Sequence, residues 1–452
     1  MGPSPARDRH AGRGRRCLVL GGGVAGLSSA FAHHEAGWET TLVETRRRLG
    51  GRAWSLSKDG IEFDNGPHVL LGCYERFRSL LRRLNTEDHF HHAKALELHW
   101  LREDGETLSL RCPVLPSPFH LLTGILRMRI PWKDRLALLA AGRRILGTLP
   151  DEGVNLDAWS AAEGIAPSVR RLLLAPLCRA VMNAEPAEAE ARMFLETLGT
   201  AFRAGPAGGA MWIPRLPWSR ILDPEPRSLP FTVRRGRGVG IEIRRPAPVL
   251  KLADGTLLEG HDRLVLALPP GEAARIAPSC PESALAGNLR PSPILTVYLP
   301  LPATLLPPER PILALDGGKA FHFLVRGPKS GRGGEGILFG ALLAGAASAF
   351  DGLSRERILL EAWSELGRRF GTALPASPPE PAFVLRERRA TFLPGPGHRR
   401  FRPPPGPTSI PGLWIAGDWT DTGLPATLEG AARSGFDPVQ GPRLSPAGLS
   451  GR

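Results

Sequence analysis

The sequence predicts an α/β protein: a doubly wound, Rossmann-type nucleotide-binding domain assembled from separated pieces of chain, with an α+β domain inserted between them. Three observations carry this expectation. The segment "RCLVLGGGVAGLSSAFA", from Arg16, reads as strand, tight turn and helix. The segment "LWIAGDWTDTGLPATLEGAARSG", Leu413 to Gly435, repeats that order near the other end of the chain. Between them lie Leu/Ala/Arg stretches at helical spacing and, after Pro293, apolar runs that read as a second sheet.

Taken in order, residues 1–14 ("MGPSPARDRHAGRG") are polar, basic and turn-rich and read as a disordered arm. Residues 15–84 form the first part of the nucleotide-binding domain. There "RCLVL" is a buried strand, Leu27 to Ala36 a helix closed by Gly37, and "TTLVE" the second strand of a βαβ unit. Arg15 and Arg16 before an apolar run also fit a twin-arginine or secretory signal, but the strand that follows the helix favours the βαβ reading. Residues 85–220 read as a mainly helical insertion, with "RLALLAAGRRILGTL" and "SVRRLLLAPLCRAVM" as examples. Residues 221–275 return to the first domain, with a hairpin at Asp254-Gly255 and a buried strand, "DRLVLALPP", stopped by Pro269 and Pro270. Residues 276–395 hold a sheet, with strands "ILTVYLPL" and "GILFGALLA", and the amphipathic helix "SRERILLEAWSELGRRF". Residues 396–437 complete the nucleotide-binding domain, and 438–452, from the helix-breaking Pro438, read as a disordered tail.

Composition bounds the function. A chain of 452 residues, 42% hydrophobic, can bury a real core. Its net charge of +14, mostly arginine, allows a nucleic-acid or anionic-membrane partner; with no long Lys/Arg block, a solvated basic surface explains it better. The five cysteines lie far apart, without CxxC pairs or zinc-ligand histidines, so no disulfide framework and no metal site are expected, and a reducing cytoplasm fits. No run of about 18 apolar residues suggests a spanning helix.

The chemistry-bearing residues begin at Gly21, Gly23 and Gly26, a G-x-G-x-x-G after a strand and before a helix. The first glycine permits the tight turn, the second close approach of a pyrophosphate and the third helix packing, with helix N–H groups facing the anion. Glu44 ends the second strand, where a carboxylate accepts hydrogen bonds from a ribose diol. In "RRLGGRAWS", Gly50 and Gly51 offer backbone to phosphate, while Arg52 and Arg48 offer charge.

A glycine doublet after the ribose acid resembles the flavoproteins of the amine oxidase and carotenoid desaturase superfamily, and the cofactor this implies is FAD. In that superfamily a late strand ends in Gly-Asp, here Gly417-Asp418, and leads to a helix facing the flavin. The resemblance implies that Asp418 binds the ribityl or diphosphate portion and that backbone around Leu428, Glu429 and Gly430 approaches the pyrimidine edge. A helix N-terminus, carrying about half a positive charge, would stabilise the anion of the reduced flavin without reorganising.

Four segments narrow the resemblance: "FDNGPHVLLGCY" (Phe63 to Tyr74), "PLCRAVMNAEP" (Pro176 to Pro186), "RERRATF" (Arg386 to Phe392) and the C-terminal "GDWTDTGLPATLEGAARSG". Together they resemble the hydroxysqualene dehydroxylases, or squalene-associated FAD-dependent desaturases, of bacterial hopanoid biosynthesis. The likeness runs from about Cys17 to Gly435, and Gly66 and Pro67 fall in its flavin-facing turn. Pro67 stands where that family usually has Gln, and Ala184 where Thr is expected. The segment Asp223 to Arg245 lacks the expected helix and glycine-led strand, so no residue is assigned to adenine.

The family implies reductive removal of a hydroxyl from hydroxysqualene, a lipophilic C30 isoprenoid, to give squalene. That chemistry needs an acid, for which His68 is the candidate, and a dry apolar tunnel, near which Cys178 is a weaker candidate for the lining. A carotenoid or phytoene-type desaturase and a flavin amine oxidase are the alternatives. No nucleic acid is expected, because three cofactor segments stand in the right order. Pro116 to Leu146, where Phe and Leu stand beside Arg and Lys, suits either peripheral contact with an anionic membrane from the cytoplasmic side or two helices packed by their Leu faces. Oligomeric state is left open.

Overall fold

The structure is a computed structural model that describes residues 14–58, 60–318, 320–329, 338–345, 350–371 and 374–442. Most of the arm and tail expected at 1–14 and 438–452 thus lies outside the described residues.

The nucleotide-binding domain centres on a sheet in the order Thr232–Arg235, Glu39–Glu44, Arg16–Leu20, Arg263–Leu266, Leu413–Ile415 and Gly406–Pro407. All pairs are parallel except the last, an antiparallel edge. The central strand is apolar on both sides because both faces are covered. Cys17 and Val19 face the helices, with Leu27, Phe31 and Phe436. Leu18 and Leu20 face Leu250, Leu252 and Ile276. The three strand regions 16–44, 263–266 and 406–415 come from both ends and the middle of the chain, so the Gly21 turn and the Gly417-Asp418 turn leave the same sheet edge. Helix Val24–Glu35 packs directly on helix Leu428–Gln440; a Cβ at Gly435 would stand 2.5 Å from the Ala25 carbonyl oxygen.

Two sequence expectations need correction here. The 223–245 segment does contain strands: Thr232–Arg235, and then Gly238–Glu242, which is led by a glycine and pairs with Val249–Leu252. The signal was weak because Thr232–Arg235 is an edge strand with arginines rather than apolar alternation, the usual protection of an open edge. Pro438, for its part, does not end the last helix, which continues to Gln440. In the final turn a proline removes only one backbone hydrogen bond, and the Gly441 amide still bonds the Asp437 carbonyl.

The inserted domain is built on a seven-stranded sheet: Phe383–Phe392, Pro291–Leu301, Leu338–Gly345, Phe323–Lys329, Ile312–Leu315, Glu97–Leu101 and Thr107–Arg111. Its last two strands lie inside the stretch read as mainly helical; helices take over from Phe119. Helix Arg355–Phe370, capped by Ser354, closes one face with Ile358, Ala362 and Leu366 against Leu295, Val297 and Leu299. The other helices, from Phe119 to Arg203, share a core with Leu98, Trp100 and Leu110 of the sheet.

Candidate active site

The N-terminal turn is fixed by contacts that leave no room for side chains. Gly21 has a φ of +106°, and a Cβ on Gly26 would stand 1.8 Å from the Gly21 carbonyl oxygen. The glycine doublet lies against this turn. Gly50 N–H donates to the Gly22 carbonyl (2.9 Å), and a Cβ on Gly51 would come within 2.9 Å of the Gly23 Cα. Glu44 ties the two strands together: its carboxylate accepts from Gly22 N–H (2.7 Å) and Arg46 N–H (2.8 Å). Helix Val24–Glu35 starts at Gly23 without a side-chain cap, so its first amides are open to an anion. Arg48 lies over Trp54 at 4.2 Å and donates to the Gly51 carbonyl (3.1 Å).

The second half arrives from residue 417 onward. Arg52 donates to Asp418 (2.6 Å) and to the Ala390 carbonyl (2.8 Å), joining the doublet, the end of the Phe383–Phe392 strand and the closing strand. Asp418 is buried while Arg52 is about one-third exposed. The Gly417 N–H donates to Ser434 Oγ (2.8 Å) and Thr427 Oγ1 accepts from Gly430 N–H (3.0 Å), which sets the N-terminus of the last helix beside the Gly417-Asp418 turn. The Glu429 side chain turns away from this face. It accepts from the Phe77 amide (2.9 Å), the Arg76 amide (3.3 Å) and Arg433 (2.8 Å), serving helix Glu75–Arg83, so only its backbone is left for a cofactor.

His68 follows the Gly66 turn, where φ is +89°, and packs edge-on against Trp218 at 5.5 Å. Its Nε2 is buried without a partner. Burial, and then the charge of Arg52, pulls its pKa down to about 4, against the opposing effect of a hydrogen bond to the Arg52 backbone. At neutral pH the ring is therefore uncharged and holds no imidazolium proton to deliver, which counts against the acid role. Cys178 is packing: its thiol donates to the Ala184 carbonyl (3.4 Å), and burial pushes its pKa up.

Several residues of this region escaped the sequence reading. Asn65 donates to Glu387 (3.1 Å), and Asn183, left-handed at φ +48°, donates to Thr391 Oγ1 (2.9 Å) and Ser292 Oγ (3.1 Å). Asn65 ties the Phe383–Phe392 strand to the Gly66 turn, and Asn183 ties it to the end of helix Ala175–Met182. Only Asn183 announced itself, as an Asn after a helix, a common left-handed stop. Arg402 is the other omission; it is 4% exposed and bonded to the loop after Asp418.

The open helix N-terminus, the glycine cradle, two arginines beside it and an orphaned His68 Nε2 fit a dinucleotide cofactor. The sequence matches the flavin containing amine oxidoreductase family over residues 24–439. It is 27% identical to a hydroxysqualene dehydroxylase of Zymomonas mobilis, over 92% of this chain and 96% of that protein. One from Rhodopseudomonas palustris is 28% identical over the same shares. Among solved structures, cyclohexylamine oxidase from Brevibacterium oxydans has the same fold, with a TM-score of 0.66 at 16% identity, covering 94% of this chain and 98% of that one. By its sequence and by the site its two ends build, the chain belongs to the flavin containing amine oxidoreductase family.

Proposed function

We propose that the protein is an FAD-dependent enzyme that removes the hydroxyl of a hydroxysqualene-type isoprenoid alcohol, leaving the hydrocarbon. The observation that carries this reading is the end-to-end similarity to two hydroxysqualene dehydroxylases, which spans both the cofactor and substrate domains.

In this reading Gly21, Gly23, Gly26 and the open helix N-terminus take the pyrophosphate, with Arg48, Gly50, Gly51 and Arg52 around it. Glu44 retains lone pairs for a ribose diol beyond those used by Gly22 and Arg46. Gly66 and Pro67 line one side of the ring, and Gly417, Asp418 and the Leu428–Glu429 backbone the other end. When bound, the reduced flavin would supply two electrons and one hydrogen to the carbon that loses oxygen. The oxygen gains a proton and leaves as water, so atoms and charge balance. His68, neutral, acts as a hydrogen-bonding group for the substrate or cofactor through its free Nε2; His68→Ala keeps bound flavin but loses turnover, and His68→Gln recovers part of it.

The inserted domain suits a long apolar chain. A cavity of ≈430 Å³ lies between Leu98, Trp100 and Leu110 of the sheet and Leu121, Leu138 and Ile145 of helices Phe119–Leu126 and Trp132–Ile145; Arg143 is the one charged residue of its lining. On the outside of the same helices Phe119 (57%) and Trp132 (64%) are exposed, with Leu122, Leu126 and Leu136. Arg127, Arg129, Lys133 and Arg135 stand among them. No helix among the described residues is long and apolar enough to cross a membrane. An apolar, basic surface over an apolar cavity supports peripheral contact with an anionic membrane, from which a lipid-dissolved substrate enters.

The test is a single turnover without oxygen. Reduced protein given hydroxysqualene is expected to reoxidise its flavin and yield squalene, while oxidised protein given phytoene stays oxidised. Flavin reduction by phytoene with the alcohol untouched would assign a desaturase instead.

A further inference from the structure

Arg402 sits in a loop with no sequence motif, yet it is one of the most deeply buried charges in the described residues. Its guanidinium donates to the carbonyls of Trp419 (3.1 Å), Thr420 (2.5 Å) and Leu424 (2.7 Å), and more distantly to that of Asp418 (3.4 Å). It touches Met193 Sδ (3.7 Å) and lies over the Phe392 ring at 4.8 Å. Those contacts pin the loop from Asp418 to Leu424 to the helical layer and to the end of the Phe383–Phe392 strand. The loop runs directly into the Thr427-capped helix Leu428–Gln440.

The charge balance is unusual. Among the described residues no carboxylate lies within ion-pair distance of Arg402. The carboxylates whose charge reaches it are engaged elsewhere, Asp418 by Arg52 (2.6 Å), Asp421 by Arg399 (3.1 Å) and Glu190 beside His398 (3.5 Å). Carbonyl dipoles solvate the guanidinium but do not neutralise it, and burying a cation in that way is costly for stability alone. Burial lowers its pKa to about 10, with Asp421 and Asp418 opposing, so it is charged at neutral pH.

We propose that Arg402 is a positioning residue for the flavin: it holds the Asp418–Leu424 loop in place and adds a fixed positive field to that of the last helix, favouring the reduced, anionic flavin. This rests on the flavin lying against the Gly417–Leu428 segment. No substrate enters the test, so the identity of the isoprenoid alcohol does not bear on it.

The experiment compares the holoenzyme with Arg402→Lys and Arg402→Gln by flavin retention on dialysis and by spectroelectrochemical potential. Lys keeps the charge and loses the fork; Gln loses both. Both variants should retain flavin less well. Only Gln should lower the potential, by about 30 mV for each tenfold weakening of the reduced state. In the wild type the reduced flavin should stay anionic at pH values where free reduced FAD is protonated, a reading that needs no variant. Equal potentials in all three proteins, or a wild-type reduced flavin that protonates as free FAD does, would overturn the proposal.

Discussion

The glycine turn at Gly21–Gly26 and the helical layer at Phe119–Ile145 solve opposite problems within one chain. At the turn, backbone meets backbone and even a methyl group has no place: the room left for a Cβ at Gly26 ends 1.8 Å away in a carbonyl oxygen. In the helical layer, leucines enclose ≈430 Å³ of unfilled space and large apolar side chains face outward. In the proposed reading the first arrangement would hold a dinucleotide by its phosphates. The second would suit a flexible, largely apolar chain, for which shape and dryness matter more than any single contact.

The difference can be broken most severely at the turn. Gly26→Val should abolish flavin binding and cost about 3 kcal/mol or more of stability, the upper range for overpacking, read by flavin absorbance and urea unfolding. A variant that purifies with full flavin would show that the turn is not a cofactor cradle.

Acid should weaken the assembled core next. His33, His68, His99, His322 and His398 are all held at about 4, in each case first by burial. Their unfolded values lie near 6.5, so between about pH 6.5 and 4 the unfolded chain binds more protons and stability falls as pH falls. The buried carboxyls of Asp64, Glu190 and Glu429, with pKa values raised first by burial, bind protons in the folded state and soften that slope. Unfolding midpoints against pH should decline through this window; a flat profile would mean the histidines are not buried neutral.

The helical layer should respond differently. Leu138→Phe, filling the cavity, is expected to change stability by less than about 1.5 kcal/mol yet to raise KM for the C30 alcohol at least tenfold. An unchanged KM would remove the cavity from the substrate path. Smallest in stability is Trp132→Glu, within about 0.5 kcal/mol, but it should abolish flotation with anionic vesicles. Wild-type protein that floats with neither anionic nor neutral vesicles would end the membrane reading.

The same contrast decided how much could be read from sequence. Steric exclusion leaves glycines in a fixed pattern, so Gly21, Gly26, Gly50 and Gly51 were legible, as were Gly23, by its place in the motif, and the pairing of chain ends through Gly417-Asp418. Side chains that serve by long-range contact were not. Asn65 and Glu387 meet across 322 positions; Arg52 and Asp418 were each singled out, but their ion pair across 366 positions was not, and Arg402 bonds mainly carbonyls 16 to 22 positions away in a loop without a motif. At Glu429 the resemblance implied a backbone role only; that its carboxylate caps helix Glu75–Arg83 was not legible. His68 had the right neighbours for an acid, but burial, which sequence does not report, removes its charge. The edge strand Thr232–Arg235 was hidden by its arginines.

The central claim is that chain ends and inserted domain close on one flavin to strip oxygen from an isoprenoid. It is tested most directly by anaerobic turnover of hydroxysqualene in D₂O with the reduced protein, followed by mass spectrometry of the product. Squalene carrying one deuterium, delivered through the exchangeable hydrogen of the flavin to the carbon that lost oxygen, is the predicted result. Recovery of unchanged alcohol beside a fully reduced, tightly bound flavin would contradict it.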